Sequence, residues 1–216
     1  MLNDLLQVGV LCSSRAPGLD ALLRHPLRGT LYEVQCVISS EPEFEQSGAP
    51  VVTHSIRSFY DQRGAPLKDR SVRAAYDAET VEILRRHGVD TLLLLGYLYV
   101  ATATLRNAYG DRILNTHDGL PEYPGLHATR DAIMAGQPAT YSIVHVATPE
   151  LDAGPVVVQS EPFPVAPFAR GAVMAGYDDI VRAYAYAQRE WMMRSAWGNM
   201  VVSALQKVAA RGEAPV

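Results

Sequence analysis

Residues 89–95 place the tightest limit on what this 216-residue chain can fold into. The run closes on four consecutive leucines, Leu92, Leu93, Leu94 and Leu95. Successive side chains of a strand point to opposite sides, so a strand apolar throughout has no face for water. Such strands belong inside parallel sheets with helices on both faces. Residues 7–13 and 32–38 repeat the pattern, closed by Ser13-Ser14 and Ser39-Ser40. Between 74 and 87, Ala75, Ala78, Val81, Ile83 and Leu84 fall at helical spacing, and Gly88 offers a stop. The alternation predicts an α/β chain built on a doubly wound, mostly parallel sheet.

The composition, 48% hydrophobic and 19% charged, supplies enough apolar surface for a full core. The length fits one domain over residues 1–175, with residues 176–216 as a helical extension. Net charge is −4 with no block of like charges, which disfavours nucleic acid as a partner. Cys12 and Cys36 lie in apolar runs at no metal or disulfide spacing, which points to a reducing compartment. The first residues lack a signal-peptide pattern, and the apolar run 92–100 is far short of the ~20 residues that span a bilayer. A cytoplasmic location without membrane attachment is expected.

Residues 13–18, Ser-Ser-Arg-Ala-Pro-Gly, carry one glycine at the end and read as a connecting turn more than as a phosphate cradle. Residues 41–64 are polar and without a period, apart from a short strand at Val51-Val52; His54 there is assigned no role. Further on, helices are expected over 101–109 and 128–135, and strands over 113–116, 140–147 and 155–160. The link between the last two strands is too short for a parallel crossover, so they pair antiparallel. Pro162, Pro164 and Pro167 end that section. From Asp178 as cap, Ile180, Ala183, Tyr184, Ala187, Trp191 and Ser195 predict a long amphipathic helix toward Val208. It would pack on the sheet or on a second subunit, as in a homodimer.

The polar residues that matter most sit where the strand at 113–116 ends. Asn115 and His117 are two apart, so both aim at one space, roughly 6.6 Å apart along the backbone. An amide donor and an imidazole converging on one point suit an oxygen that becomes negative, as in acyl transfer. Asp152, on a later turn, could hold the imidazole or move protons through water. No Gly-x-Ser-x-Gly elbow is present, and His117, His127 and His145 match no standard zinc spacing, so no metal is expected.

Taken together, these segments are more specific than any one of them. They are Asn115-Thr116-His117, Leu120-Pro121 with Tyr123-Pro124-Gly125, Val144-His145, and Glu150-Leu151-Asp152-Ala153-Gly154-Pro155 followed by Gln159. The set resembles the folate-dependent formyltransferase family, above all its small glycinamide ribonucleotide transformylases, over about residues 7–190. The resemblance implies a Rossmann-like fold whose later strands turn antiparallel. It implies a formyl group passed from 10-formyltetrahydrofolate to a primary amine of a small metabolite, by direct attack. Asn115 and His117 would stabilise the oxyanion, and Asp152 would partner His117. The pterin would lie between Leu98, Tyr99, Val100 and Ala101 on one side and Ala147, Glu150 and Leu151 on the other. The Leu120–Pro121 bond would be cis.

The chain departs from the family pattern at the acceptor end. Arg15 and Gly18 stand in the first loop where a Gly-rich, phosphate-gripping segment is usual. Gln188 stands for a substrate-touching glutamate, Asp118-Gly119 for a Pro-Ser, and Tyr99 for an arginine. Arg15, Gly18, Asp118 and Gln188 are therefore the candidate acceptor contacts. The purine-pathway acceptor, hydrolysis of the formyl donor, and a folate binder without turnover are the competing readings.

Overall fold

The computed structural model describes residues 5–42 and 44–212, with side chains up to residue 210. The elements run β1 (Leu6–Cys12), α1 (Leu19–Arg24), β2 (Tyr32–Ser39), β3 (Val51–Thr53), α2 (Ile56–Asp61), α3 (Arg70–Arg86) and β4 (Thr91–Leu94). After them come α4 (Ala103–Tyr109), a 3-10 turn, β5 (Ile113–His117), α5 (Ala128–Met134), β6 (Ala139–Thr140) and β7 (Ile143–Val146). The chain closes with β8 (Val156–Gln159), β9 (Phe163–Pro164), α6 (Pro167–Met174) and α7 (Asp178–Gly212).

Seven strands form one sheet in the order β3-β2-β1-β4-β5-β7-β8. The first five in that order are parallel, and β7 runs antiparallel to both β5 and β8. The strand order reverses beside β1, between β2 on one side and β4 on the other. The carboxyl ends of strands near such a reversal are where open α/β sheets leave a crevice.

The leucines of β4 account for the layering. Leu93 packs in one apolar cluster with Val8, Val10, Trp197, Val201 and Leu205. Leu92 and Leu94 pack in another with Leu11, Ile38, Val81 and Leu84. Alternate residues of one strand thus serve opposite cores, as a strand covered on both faces requires. The inner face of α7 supplies much of the first cluster. Trp197 is buried and its indole N–H donates to Ser142 Oγ at 3.0 Å. Among the described residues no helix is long and apolar enough to cross a membrane.

Several expectations change. The run 140–147 is two strands: β6 leaves the main sheet and pairs with β9, and β7 alone joins β5. Pro164 fits there because a two-stranded ribbon leaves an edge that needs no N–H. Pro167 starts α6 instead of ending a segment; a first-turn proline loses no helical hydrogen bond. Residues 41–64 contain α2, capped by the Ser55 side chain and buried through Ile56, Phe59 and Tyr60. That stripe is under two turns long, too short to show a period. His54 is half-buried and stacks on Tyr76 at 4.2 Å; burial, which disfavours the charged ring, lowers its pKa. Among the described residues every peptide bond is trans, including Leu120–Pro121. Tyr123 N–H donates to Leu120 O at 2.9 Å, which closes a tight turn with Pro121 second, a place that trans proline favours.

Candidate active site

The antiparallel register of β5 and β7 sets the centre of the site. Asn115 lies directly opposite His145, and His117 opposite Ile143. Opposed residues share a face, so Asn115, His117 and His145 crowd into one space. The loop after β7 then folds back and lowers Asp152 between them. Asp152 holds φ +51°, a left-handed conformation that aspartate tolerates better than most residues. Gly154 lets the loop lie that close: a Cβ there would overlap Val146 O.

Asp152 is the hub. Its Oδ1 accepts from Asn115 Nδ2 at 3.1 Å and lies 3.6 Å from His145 Nε2. Its Oδ2 accepts from the Gly125 backbone N–H at 2.8 Å and lies 3.5 Å from His117 Nδ1. Burial alone would raise its pKa. The neighbouring His145 and His117 imidazoles and the Gly125 N–H outweigh burial and hold it below the usual carboxylate value. His117 Nε2 donates to Tyr123 O at 2.9 Å, so that nitrogen carries a hydrogen. His117 therefore stands between a carbonyl and a carboxylate, both acceptors. His145 Nδ1 donates to Val146 O at 3.0 Å, which leaves Nε2 to accept from Asn115 at 3.0 Å.

Asn115 and His117 do share one space, but the point where their donors converge holds the Asp152 carboxylate. Both hydrogens of the Asn115 amide are engaged with Asp152 and His145. A developing negative oxygen would have to compete for them. Hydrogen bonds in ligand-free sites commonly rearrange in this way when the reacting complex forms.

Beside this cluster lies a cavity of about 300 Å³. Asn115, His117, Asp118 and Asp152 line it, together with Leu98, Tyr99, Val100, Ala101, Ala147, Glu150 and Leu151. Leu98, Val100, Leu126 and Leu151 are 56%, 52%, 63% and 51% exposed. Large apolar side chains left in water around a polar floor mark a ligand surface. The 97–101 segment is clamped from behind by Arg73 of α3. Arg73 pairs with the buried Asp77 at 3.0 Å and donates to Val100 O at 2.9 Å and to Tyr97 OH at 3.2 Å. Its guanidinium lies 5.3 Å from the Tyr99 ring, so a cation still stands beside the residue that replaces the expected arginine.

Three expected acceptor contacts are elsewhere. Arg15 is ion-paired with Glu190 of α7, with Nη1 at 3.1 Å from Oε2. Gly18 packs against α7, where a Cβ would stand 3.0 Å from Gly198 N. The Gln188 side chain is an interior tie: its amide donates to Thr140 Oγ1 and to the carbonyls of Phe163 and Pro164. Asp118 does line the cavity, buried, accepting from Arg189 Nε at 3.0 Å and from Thr129 Oγ1 at 2.8 Å. His145, Arg189 and Arg73 are additions that sequence reading did not assign. Val144-His145 stands among the matching segments, but its place opposite Asn115 follows only from the β5–β7 register. Among the described residues no group of three or more His, Cys, Asp or Glu side chains is arranged to hold a metal ion.

The phosphoribosylglycinamide formyltransferase of Escherichia coli (strain K12) is 34% identical over 84 residues, 38% of this chain and 40% of that one. The trifunctional purine biosynthetic protein adenosine-3 of Drosophila melanogaster is 31% identical over 164 residues, 71% of this chain and 11% of its own length. The matched stretch thus spans less than half the length of either relative. The crystal structure of phosphoribosylglycinamide formyltransferase from Anaplasma phagocytophilum superposes with a TM-score of 0.68 at 24% identity. That match covers 94% of this chain and 87% of that one, and it shows a shared fold. Residues 6–169, which hold every side chain of the Asp152 cluster, match the formyl transferase family model, and the chain belongs to that family.

Proposed function

We propose that this protein transfers the formyl group of 10-formyltetrahydrofolate to a primary amine of a small metabolite. The observation that carries this reading is Asp152 bridging His117 and Asn115 at the floor of a slot with an apolar mouth. In the reaction the amine nitrogen attacks the formyl carbon, the carbonyl becomes an oxyanion, and a tetrahedral intermediate forms. Asn115 turns its amide from Asp152 and His145 to the oxyanion, and His117 supplies the second hydrogen bond. The attacking nitrogen loses a proton, through water, to Asp152. The bond from the formyl carbon to folate nitrogen then breaks, and that nitrogen takes up the proton, through water, from Asp152. The pterin occupies the slot between residues 98–101 and 147–151, held largely by backbone groups. His145 fixes the Asn115 amide by taking one of its hydrogens in the resting site.

The test is to incubate the protein with 10-formyltetrahydrofolate and follow tetrahydrofolate, alone and with a panel of amines. The names of the relatives put glycinamide ribonucleotide first in that panel. Tetrahydrofolate that appears only when an amine is present, with formylated amine in equal amount, is the expected result. Release without any amine would replace transfer by hydrolysis. Folate binding with no release under any condition would leave a binding protein and sink the catalytic reading.

A further inference from the structure

We infer that the cavity between α5 and α7 is a phosphate-binding site, placed to anchor a phosphorylated acceptor; the acceptor part of this rests on the formyl-transfer reading above. The cavity measures about 480 Å³, and its wall carries Arg130, Arg182, Arg189 and His127 against a single carboxylate, Asp118. Asp118 is already bonded to Arg189 Nε and Thr129 Oγ1. Among the described residues the side chains of Arg182 and His127 have no hydrogen-bond or ion-pair partner, nor do the terminal nitrogens of Arg189. Arg130 has only a 4.0 Å contact with its neighbour Asp131. Three guanidiniums that face one volume repel one another, and an anion placed among them removes that cost. Guanidinium forks also match the oxygens of a phosphate two at a time.

The placement follows from the chain. Arg182, Tyr186 and Arg189 sit at i, i+4 and i+7 on α7 and so share one face, and all three line the cavity. Asp118 and Arg189 line both this cavity and the one that holds Asn115, His117 and Asp152. A ligand held here by its phosphate can therefore reach the reacting groups with its other end. The one cation of the first loop is already engaged. The Arg15 fork is bound to Glu190, and Pro17 has no N–H to give.

The experiment is a calorimetric titration of the full chain with inorganic phosphate at low ionic strength, without folate. Wild type and Arg15→Gln should bind saturably with equal affinity, and Arg130→Gln/Arg182→Gln should bind at least about tenfold more weakly. Both arginines of the double variant are exposed, so its thermal unfolding should match wild type. Absence of saturable binding to wild type, or loss on Arg15→Gln alone, would overturn the assignment. Displacement of phosphate by an equal concentration of acetate would overturn the choice of phosphate over carboxylate. Because no folate is present, failure here leaves the tetrahydrofolate assay unaffected, and failure of that assay leaves phosphate binding standing.

Discussion

The carboxyl ends of β1 and β5 occupy comparable places in the sheet, and each delivers small or polar residues into a loop. They have been put to opposite uses. At the end of β1, Ser13 Oγ accepts from Leu98 N–H and Ser40 Oγ, Arg15 is paired with Glu190, and Gly18 is packed on α7. Each of these groups is satisfied by the protein itself. At the end of β5, Asn115, His117 and Asp152 satisfy one another only across a cluster that faces a cavity. Polar groups that bond inward stiffen a fold, whereas polar groups at the edge of an open volume can exchange partners with a ligand. On the formyl-transfer reading proposed above, chemistry belongs at β5 and construction at β1.

The largest test of that contrast is removal of the hub or its imidazole. His117→Ala and Asp152→Asn should each lower the rate of tetrahydrofolate formation by at least ~10²-fold while folate still binds, because their work is done mainly in the transition state. Turnover close to wild type in either variant would remove β5 from the chemistry. Gly154→Ala comes next. The new methyl collides with Val146 O, whose partner is His145 Nδ1, so the Asp152 loop must lift. A loss of about 1–3 kcal/mol in stability is expected from overpacking of this kind. The rate should fall at least about tenfold with it, because a displaced Asp152 no longer meets His117. An alanine variant with unchanged unfolding midpoint and rate would show that the loop is not held there.

Most of this arrangement was legible in the residues, for identifiable reasons. The leucines of β4 announce a strand covered on both faces, and residues 74–87 announce a helix, because burial imposes those periods on the sequence. Asn115 and His117 are legible as a pair because two-residue spacing along a strand needs no tertiary information. His145 and Arg189 were not, since their places depend on strand register and on which face of α7 meets α5. Gln188, expected as an acceptor contact, faces the interior for the same reason: on a helix a shift of two residues turns a side chain by about half a circle, and Glu190 is the residue on the Arg15 side. The short elements α2, β6 and α6 are set by caps and tertiary pairing, which leave little periodic trace.

A third test uses pH. The carboxyl of Asp152 has a lower pKa folded than its ordinary 3.8, so the folded state holds the charged form more tightly than the unfolded chain does. Its contribution to stability is complete above that ordinary value and is lost as pH falls through the depressed folded value. The stability difference between wild type and Asp152→Asn should therefore stay constant near neutral pH and shrink only in strong acid. A difference that already declines between pH 7 and pH 5 would mean that Asp152 is not the depressed group.

The smallest expected effect is at the β1 end. Arg15 is 45% exposed and its partner Glu190 16%, so water and salt screen much of their attraction. Pairs of this kind contribute at most about 1 kcal/mol. Arg15→Gln should therefore cost less than that in stability and leave the rate of tetrahydrofolate formation with a phosphorylated amine unchanged. The variant also releases Glu190, which keeps Arg194 as a neighbour at 3.6 Å, so no carboxylate is left without a cation. A tenfold rise in the KM for such an amine, with kcat intact, would instead mean that Arg15 leaves Glu190 to grip substrate. The two strand ends would then be halves of one site, and the contrast between them would fail.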